Sequence, residues 1–196
     1  MTEKKQKELS LLYLNQAVKY LHLTENVFGE MLKQGNPWTV ISNIPIDNYD
    51  DITKWSDFRI MLPSLFIFYH GIELSIKGLL IITTRDIKKI HNFLILFEEL
   101  KKQKNINSEI LDIIEKYTNK ELLKNTLIGD WLIENNIEVN NLTERLRYPT
   151  GRASDETINR DLSLKYNGKK IIPFVEDLLL DIDKLRRLIV KQYYQI

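Results

Sequence analysis

Apolar residues recur along most of this chain at intervals of three and four, the spacing that places side chains on one face of an α-helix. The first such stretch runs from Glu8 to Leu32. Its apolar stripe consists of Leu11, Leu14, Val18, Leu21, Phe28 and Leu32. Gly35 and Pro37 follow, and both residue types are common just beyond a helix end. The pattern therefore predicts a long first helix with one buried face.

A second long stretch, from Asp57 or Pro63 to Thr84, is apolar almost all round. This pattern predicts a helix that is buried on every side, at the centre of a helical fold. Polar residues interrupt it at His70, Glu73 and Lys77. A membrane-spanning helix would have to place two of these ionisable groups near the bilayer centre, so the sequence favours a core helix.

Shorter helical patterns occupy much of the remaining chain. Helices are expected after His91, from Ser108 as an N-cap, from Lys120 to about Asn135, and from Pro173 to Tyr194. Residues 162–172 carry an Asn-Gly pair between short alternating runs, which is the strongest local signal for a β-hairpin. The predicted fold class is therefore mostly α, with about five helices and a small β-hairpin near residues 162–172.

Composition narrows the class of protein further. A length of 196 residues without repeats or linkers predicts a single domain over residues 1–196. The 28 basic and 27 acidic residues give a net charge of +1, so any nucleic-acid binding must come from a local basic patch. The chain has no cysteine, which excludes disulfides and thiolate nucleophiles and fits a reducing compartment. The N-terminus lacks a signal-type apolar segment, so we expect a cytoplasmic protein with no membrane partner.

The sequence contains no recognisable pattern for a metal or cofactor. Its three histidines are scattered without metal-ligand spacing, and no glycine-rich phosphate loop is present. We therefore expect neither a metal site nor a cofactor.

Three short segments resemble, in the same order, elements of the HEPN superfamily of helical bundles. Residues 70–80 (HGIELSIKGLL) are similar to a central-helix signature in which a polar residue, Glu, and Lys four positions later lie within an apolar helix. Residues 91–94 (HNFL) resemble the short His-x-Leu element that commonly follows. Residues 146–149 (LRYP) resemble a later Arg-Tyr-Pro element. The resemblance implies a HEPN-like helical bundle.

The polar residues of these segments form a candidate binding site. His70, Glu73 and Lys77 are spaced to lie on one face of the central helix, and buried charges there require partners. The guanidinium of Arg147 suits bidentate pairing with the Glu73 carboxylate. One hypothesis is a phosphate or nucleotide pocket formed by His70, Glu73, Lys77, Arg147, Tyr148 and Arg152. The alternative is an ion-pair network that only fixes the register of the helices.

A second pair of residues resembles the catalytic motif of the family. RNase members carry Arg, a spacer of a few residues, then His, so that His acts as general acid or base and Arg stabilises the phosphate. Arg85 and His91 match this motif with a spacer of five residues, directly after the central helix rather than on a later one. The alternative interpretation is that His91 packs or hydrogen-bonds locally at the start of the next helix.

The resemblance implies a short list of functions, because the family includes RNase toxins, abortive-infection and other antiphage proteins, and non-catalytic binding members. The first hypothesis is a bacterial defence or toxin-type protein that acts on RNA or nucleotides, as a metal-independent endoribonuclease. It would be a homodimer, with an antitoxin or defence-system protein as a further partner. The alternative is a non-catalytic module that binds a nucleotide, phage protein or partner subunit. A third hypothesis is a structural subunit of a larger complex, which a large apolar patch around Trp38, Trp55 and Trp131 would favour.

Overall fold

A computed structural model describes residues 2–36, 48–86, 88–147 and 168–195, without the side chains of Tyr49, Thr143, Arg147 and Lys169. Within these residues it contains α-helices and a short 3-10 helix, and no β-strand. The elements are α1 (Glu3–Lys33), α2 (Tyr49–Thr53), α3 (Asp57–Thr84), α4 (Phe93–Lys101), α5 (Ser108–Thr118), α6 (Lys120–Leu123), α7 (Leu127–Glu134), a 3-10 helix (Val139–Asn141), α8 (Leu142–Arg147) and α9 (Gly168–Gln195). The mostly α prediction is confirmed, with more and shorter helices than the five expected.

The predicted β-hairpin is wrong where it can be compared with the structure. Residues 162–167 lie outside the described residues, and residues 168–172 form the first turn of α9 instead of a second strand. The side chains of Ile171, Val175 and Leu178 are fully buried. Their four- and three-residue spacing continues the apolar face of α9, so burial of this face favours helix over strand from residue 168 onward.

Helix α3 is the centre of the fold. It packs against α1, α4, α8 and α9, and most of its residues from Tyr69 to Ile82 are buried. By length and composition α3 could cross a membrane, but 78% of its most apolar window is buried inside the protein. This burial is expected of a core helix, because the other helices cover its apolar surface.

Polar side chains of α1 hold it antiparallel to α3. The amide Nε2 of Gln6 donates to the carbonyl oxygens of Ile81 at 2.9 Å and Ile82 at 2.8 Å. The hydroxyl of Ser10 donates to the carbonyl oxygen of Gly78 at 2.9 Å. Both side chains are buried. Their acceptors lie in the last two turns of α3, and the carbonyl group of Ile82 is one of the last in the helix, where intrahelical partners run out.

Two glycines of α3 let α1 approach closely. A Cβ atom added at Gly78 would lie 2.5 Å from Cδ2 of Leu14, and one added at Gly71 would lie 3.1 Å from Cδ2 of Leu21. Gly71 and Gly78 are two helical turns apart and therefore lie on the same side of α3. The interface between α1 and α3 is thus built around small residues on the central helix.

A partly buried polar cluster joins α5 to α9. The hydroxyl of Tyr117 donates to Oδ2 of Asp181 at 2.7 Å, and Nζ of Lys116 lies 2.6 Å from the same oxygen and 2.5 Å from Oδ2 of Asp177. Burial raises the pKa of the Tyr117 hydroxyl, and the negative charge of Asp181 raises it further. Tyr117 therefore keeps its proton at neutral pH and remains a hydrogen-bond donor to Asp181.

We expect Tyr117→Phe to lower the free energy of unfolding by about 1 kcal/mol, because it removes one hydrogen bond to a carboxylate that retains Lys116. Urea denaturation followed by far-UV circular dichroism measures this change. Tyr194→Phe is the matched control, since this side chain is 80% exposed. Equal stability of the two variants would mean that the Tyr117 hydrogen bond contributes nothing to folding.

Candidate functional site

The candidate site lies where the loop between α3 and α4 returns to the middle of α3. Arg85 ends α3 in the left-handed conformation, with φ of 62°, and its backbone N–H donates to the carbonyl oxygen of Ile81 at 3.1 Å. At the other end of the loop, the side-chain oxygen of Asn92 accepts from the N–H of Ile95 at 3.1 Å and caps α4. Both ends of the loop are thus fixed by helix caps.

An ion pair holds the middle of this loop. Nζ of Lys88 lies 2.7 Å from Oδ2 of Asp86 and 3.0 Å from Oε2 of Glu99 on α4. The hydrogen bonds to these two carboxylates raise the pKa of Lys88. Lys88 therefore stays charged and connects the loop to α4.

The loop brings His91 to a buried carboxylate of α3. Oε1 of Glu73 lies 2.7 Å from Nζ of Lys77 and 2.7 Å from Nδ1 of His91. The side chains of Glu73 and Lys77 are 4% and 7% exposed, whereas that of His91 is 76% exposed. When Nδ1 carries the hydrogen that is donated to Glu73, Nε2 of the neutral ring is a free acceptor. A buried ion pair thus orients an exposed imidazole.

His70 and Arg85 differ from these residues in their surroundings. The ring of His70 contacts that of Tyr20 edge-on at 4.9 Å and stacks on that of Phe66 at 6.2 Å. The side chain of Arg85 is exposed and forms no hydrogen bond or ion pair with any residue that the structure describes. Arg85 and His91 share one short loop, and the guanidinium of Arg85 is open to solvent.

The rest of the predicted binding site cannot be compared with the structure. Tyr148 and Arg152 lie outside the described residues, as does the side chain of Arg147. The backbone of Arg147 ends α8, which packs against α3. The pairing of Arg147 with Glu73, and the pocket it implies, therefore stay predictions. The sequence analysis did not predict the contact between Glu73 and His91, because these residues are 18 positions apart and the path of the loop between them was unknown.

Among the described residues, no group of three or more histidine and acidic side chains could hold a metal ion. Trp131 is fully buried, Trp55 is half-buried, and Trp38 lies outside the described residues. Trp131 therefore belongs to the core and contributes nothing to an exposed apolar patch.

Comparison with known proteins gives one family. A scan against protein-family models matches the HEPN domain over residues 58–185, which is more than half of the chain. A search of the curated proteins gave no match. A search of the solved structures also gave none. The matched range includes Glu73, Lys77, Arg85 and His91.

Proposed function

The chain belongs to the HEPN domain family, and from this premise we propose that it is a defence or toxin-type protein that cleaves RNA without a metal ion. The observation that carries the proposal is the hydrogen bond between Glu73 and His91, which joins a buried carboxylate to an exposed imidazole at 2.7 Å. In enzymes that use histidine as a general base, a carboxylate on Nδ1 fixes the tautomer and stabilises the imidazolium. Glu73 is suited to this positioning role.

The reaction uses the nucleophile that RNA itself carries. Nε2 of His91 takes the proton of a 2′-hydroxyl, and the resulting oxygen attacks the adjacent phosphorus. The bond from phosphorus to the 5′-oxygen breaks, and that oxygen takes up a proton. The products are a 2′,3′-cyclic phosphate and a 5′-hydroxyl. The exposed guanidinium of Arg85 would bind the phosphate oxygens as negative charge develops on them.

A homodimer would supply the second proton-transfer group. One His91 can act as the base for the 2′-hydroxyl, while a protonated His91 of a second copy gives its proton to the leaving 5′-oxygen. Two-fold dimers are the commonest oligomers of soluble proteins and place identical residues across one axis. We therefore propose that the active form is a two-fold dimer in which the loops carrying Arg85 and His91 face each other.

Incubation of the purified chain with end-labelled total RNA and a panel of tRNAs, in the presence of a chelator, tests this function. We expect cleavage products with cyclic phosphate ends and a rate at least about a hundredfold lower for His91→Ala. Glu73→Gln should retain more activity and change its pH profile. Glu121→Gln, an exposed surface variant on α6, should cleave like the wild type. Equal cleavage by the wild type and His91→Ala would exclude His91 chemistry.

A non-catalytic binding module is the second candidate. The observation that favours it is that Glu73 contacts both Lys77 and His91, so the three side chains also serve as a structural connection between α3 and the loop. This function predicts binding of a nucleotide without turnover. We expect Arg147→Ala combined with Arg152→Ala to weaken nucleotide affinity about tenfold or more, measured by titration calorimetry. Unchanged affinity in this double variant would exclude the predicted phosphate pocket.

A further inference from the structure

Helices α1 and α9 lie side by side and leave a surface groove between them. Val18 of α1 is opposite Val190 of α9, while Leu11 and Tyr194 line one end of the groove. Residue numbers increase along α1 and decrease along α9, so the two helices are antiparallel here. The half beyond Val18 is a shallow depression, open to solvent, with a volume of about 620 Å³. We call this surface the α1–α9 groove; its residues lie on other elements than Glu73 and His91.

The α1–α9 groove has an exposed apolar half. Leu11, Val190 and Tyr194 are 37%, 47% and 80% exposed. Single exposed apolar residues are common, but neighbouring ones that line a groove mark surfaces where proteins interact. The floor between them is completed by Val18, which is half-buried.

The other half of the α1–α9 groove carries unbalanced positive charge. Arg186 pairs with Glu25 at 2.8 Å, and Arg187 pairs with Asp183 at 2.9 Å. Lys19 and Lys191 also line the groove, and neither forms an ion pair with any residue that the structure describes. The carboxylate of Glu109 also lies near Lys191, but it pairs with Lys184 at 2.6 Å. Four cations thus line the groove with three carboxylates near them, which leaves Lys19 and Lys191 as donors for an acidic ligand.

We propose that the α1–α9 groove binds an acidic amphipathic helix of a partner protein. Apolar residues of that helix would lie on Val18 and Val190, and its carboxylates would pair with Lys19 and Lys191. From Leu11 to His22 the groove runs about 17 Å along α1, the length of about three helical turns. An apolar floor with a charged rim is the way helices dock in grooves. An RNA strand would pair with the lysines but would leave the aliphatic floor unused, so the surface favours a protein.

Selection from a displayed library of randomised helical peptides, with the full chain as bait, tests the proposal. We expect enriched peptides to combine apolar residues at three- and four-residue spacing with an excess of Asp and Glu. A resynthesised fluorescent peptide should bind about tenfold more weakly to the variant with Lys19→Glu and Lys191→Glu, and also to Val190→Asp. The variant with Lys4→Glu and Lys102→Glu has the same change in net charge outside the groove and should bind like the wild type.

Several results would overturn the proposal. One is enrichment of no peptide, or of peptides that bind equally to the variant with both groove lysines reversed. Another is binding of labelled polyuridine that this reversal abolishes while no peptide binds, which would identify a nucleic-acid surface. A third is dissociation of a dimer by the same reversal in sedimentation velocity, which would identify a second copy as the occupant. Since His91→Ala leaves the groove intact, it should bind the peptide normally, which separates this test from the nuclease assay.

Discussion

Lys77→Met is expected to lower the free energy of unfolding by about 3 kcal/mol or more, because it leaves the carboxylate of Glu73 buried without its cation. Glu73 is 4% exposed and lies 2.7 Å from Nζ of Lys77. Methionine and lysine have similar helix propensities, so the substitution changes charge much more than helix stability. His91 remains near Glu73 but sits at the surface, where water weakens its interaction with the carboxylate. Urea denaturation of the two proteins at one pH measures the difference.

A variant that lacks both buried charges identifies the cause of this loss. Replacing Glu73 and Lys77 together by methionine removes both buried charges, and we expect it to recover most of the stability lost in Lys77→Met. Lys120→Met is the control for an exposed pair, since Lys120 and Glu138 are 54% and 64% exposed, and it should cost less than about 1 kcal/mol. If Lys77→Met and Lys120→Met cost the same, the Glu73 carboxylate must be reached by water.

Gly129→Ala is expected to destabilise the protein by about 3 kcal/mol, although alanine is normally the better helix residue. A Cβ atom at position 129 would lie 1.9 Å from the carbonyl oxygen of Leu123. The obstacle is backbone rather than a flexible side chain, so α6 and α7 must move apart to admit it. Thermal and urea denaturation both measure the loss, which should appear as a lower midpoint.

Gly29→Ala is the matched control for this substitution. Gly29 also lies within a helix, α1, but nothing lies within 4 Å of the Cβ that would be added there. We expect Gly29→Ala to stabilise the protein by about 0.5 to 1 kcal/mol, because alanine loses less backbone entropy on folding. The two substitutions should thus have opposite signs. A stabilising Gly129→Ala would contradict the close approach of Leu123.

Helix α1 illustrates how much of the fold could be predicted. The periodic pattern identified the helix, and its bounds differ from the prediction mainly at the N-terminus, where α1 begins at Glu3. Its buried face was only partly predicted. Gln6 and Ser10 are buried because they donate to carbonyl groups of α3, which a search for apolar residues cannot detect. Leu11 is correspondingly more exposed than the stripe implied.

Within residues 107–135, Asn and Thr residues set the helix boundaries, either as N-caps or by adopting a left-handed conformation. Asn107, not Ser108, caps α5, and its side-chain oxygen accepts from the N–H of Glu109 at 2.8 Å. The single helix expected from residue 120 is divided because Asn125 adopts a φ of 65°. Thr126 then caps α7 by accepting from Gly129. Asn and Thr before an apolar run are a helix-start signal, so the sequence contains the information for this division, although one continuous helix was predicted.

The candidate site was predictable in its parts but not in its assembly. The four-residue spacing of Glu73 and Lys77 implies that they share a helix face, and they form a buried pair. The family motif drew attention to His91. That His91 contacts Glu73 depends on the path of the intervening loop. The ion pair of Lys88 with Glu99 and the two helix caps fix this path, and the pattern of apolar and polar residues does not specify it. Arg147 remains a predicted partner.

The hydrogen bonds from α1 to the end of α3 also affect the order of folding. They join residues 75, 76 and 68 positions apart. During synthesis, the side chains of Gln6 and Ser10 therefore cannot form these hydrogen bonds until the last turns of α3 have been made. Contacts so distant in sequence must overcome the entropy of closing a long loop, which slows folding relative to bundles of neighbouring helices. Until then the α3-facing side of α1 is uncovered, and a nascent chain at this stage is a ready target for chaperones.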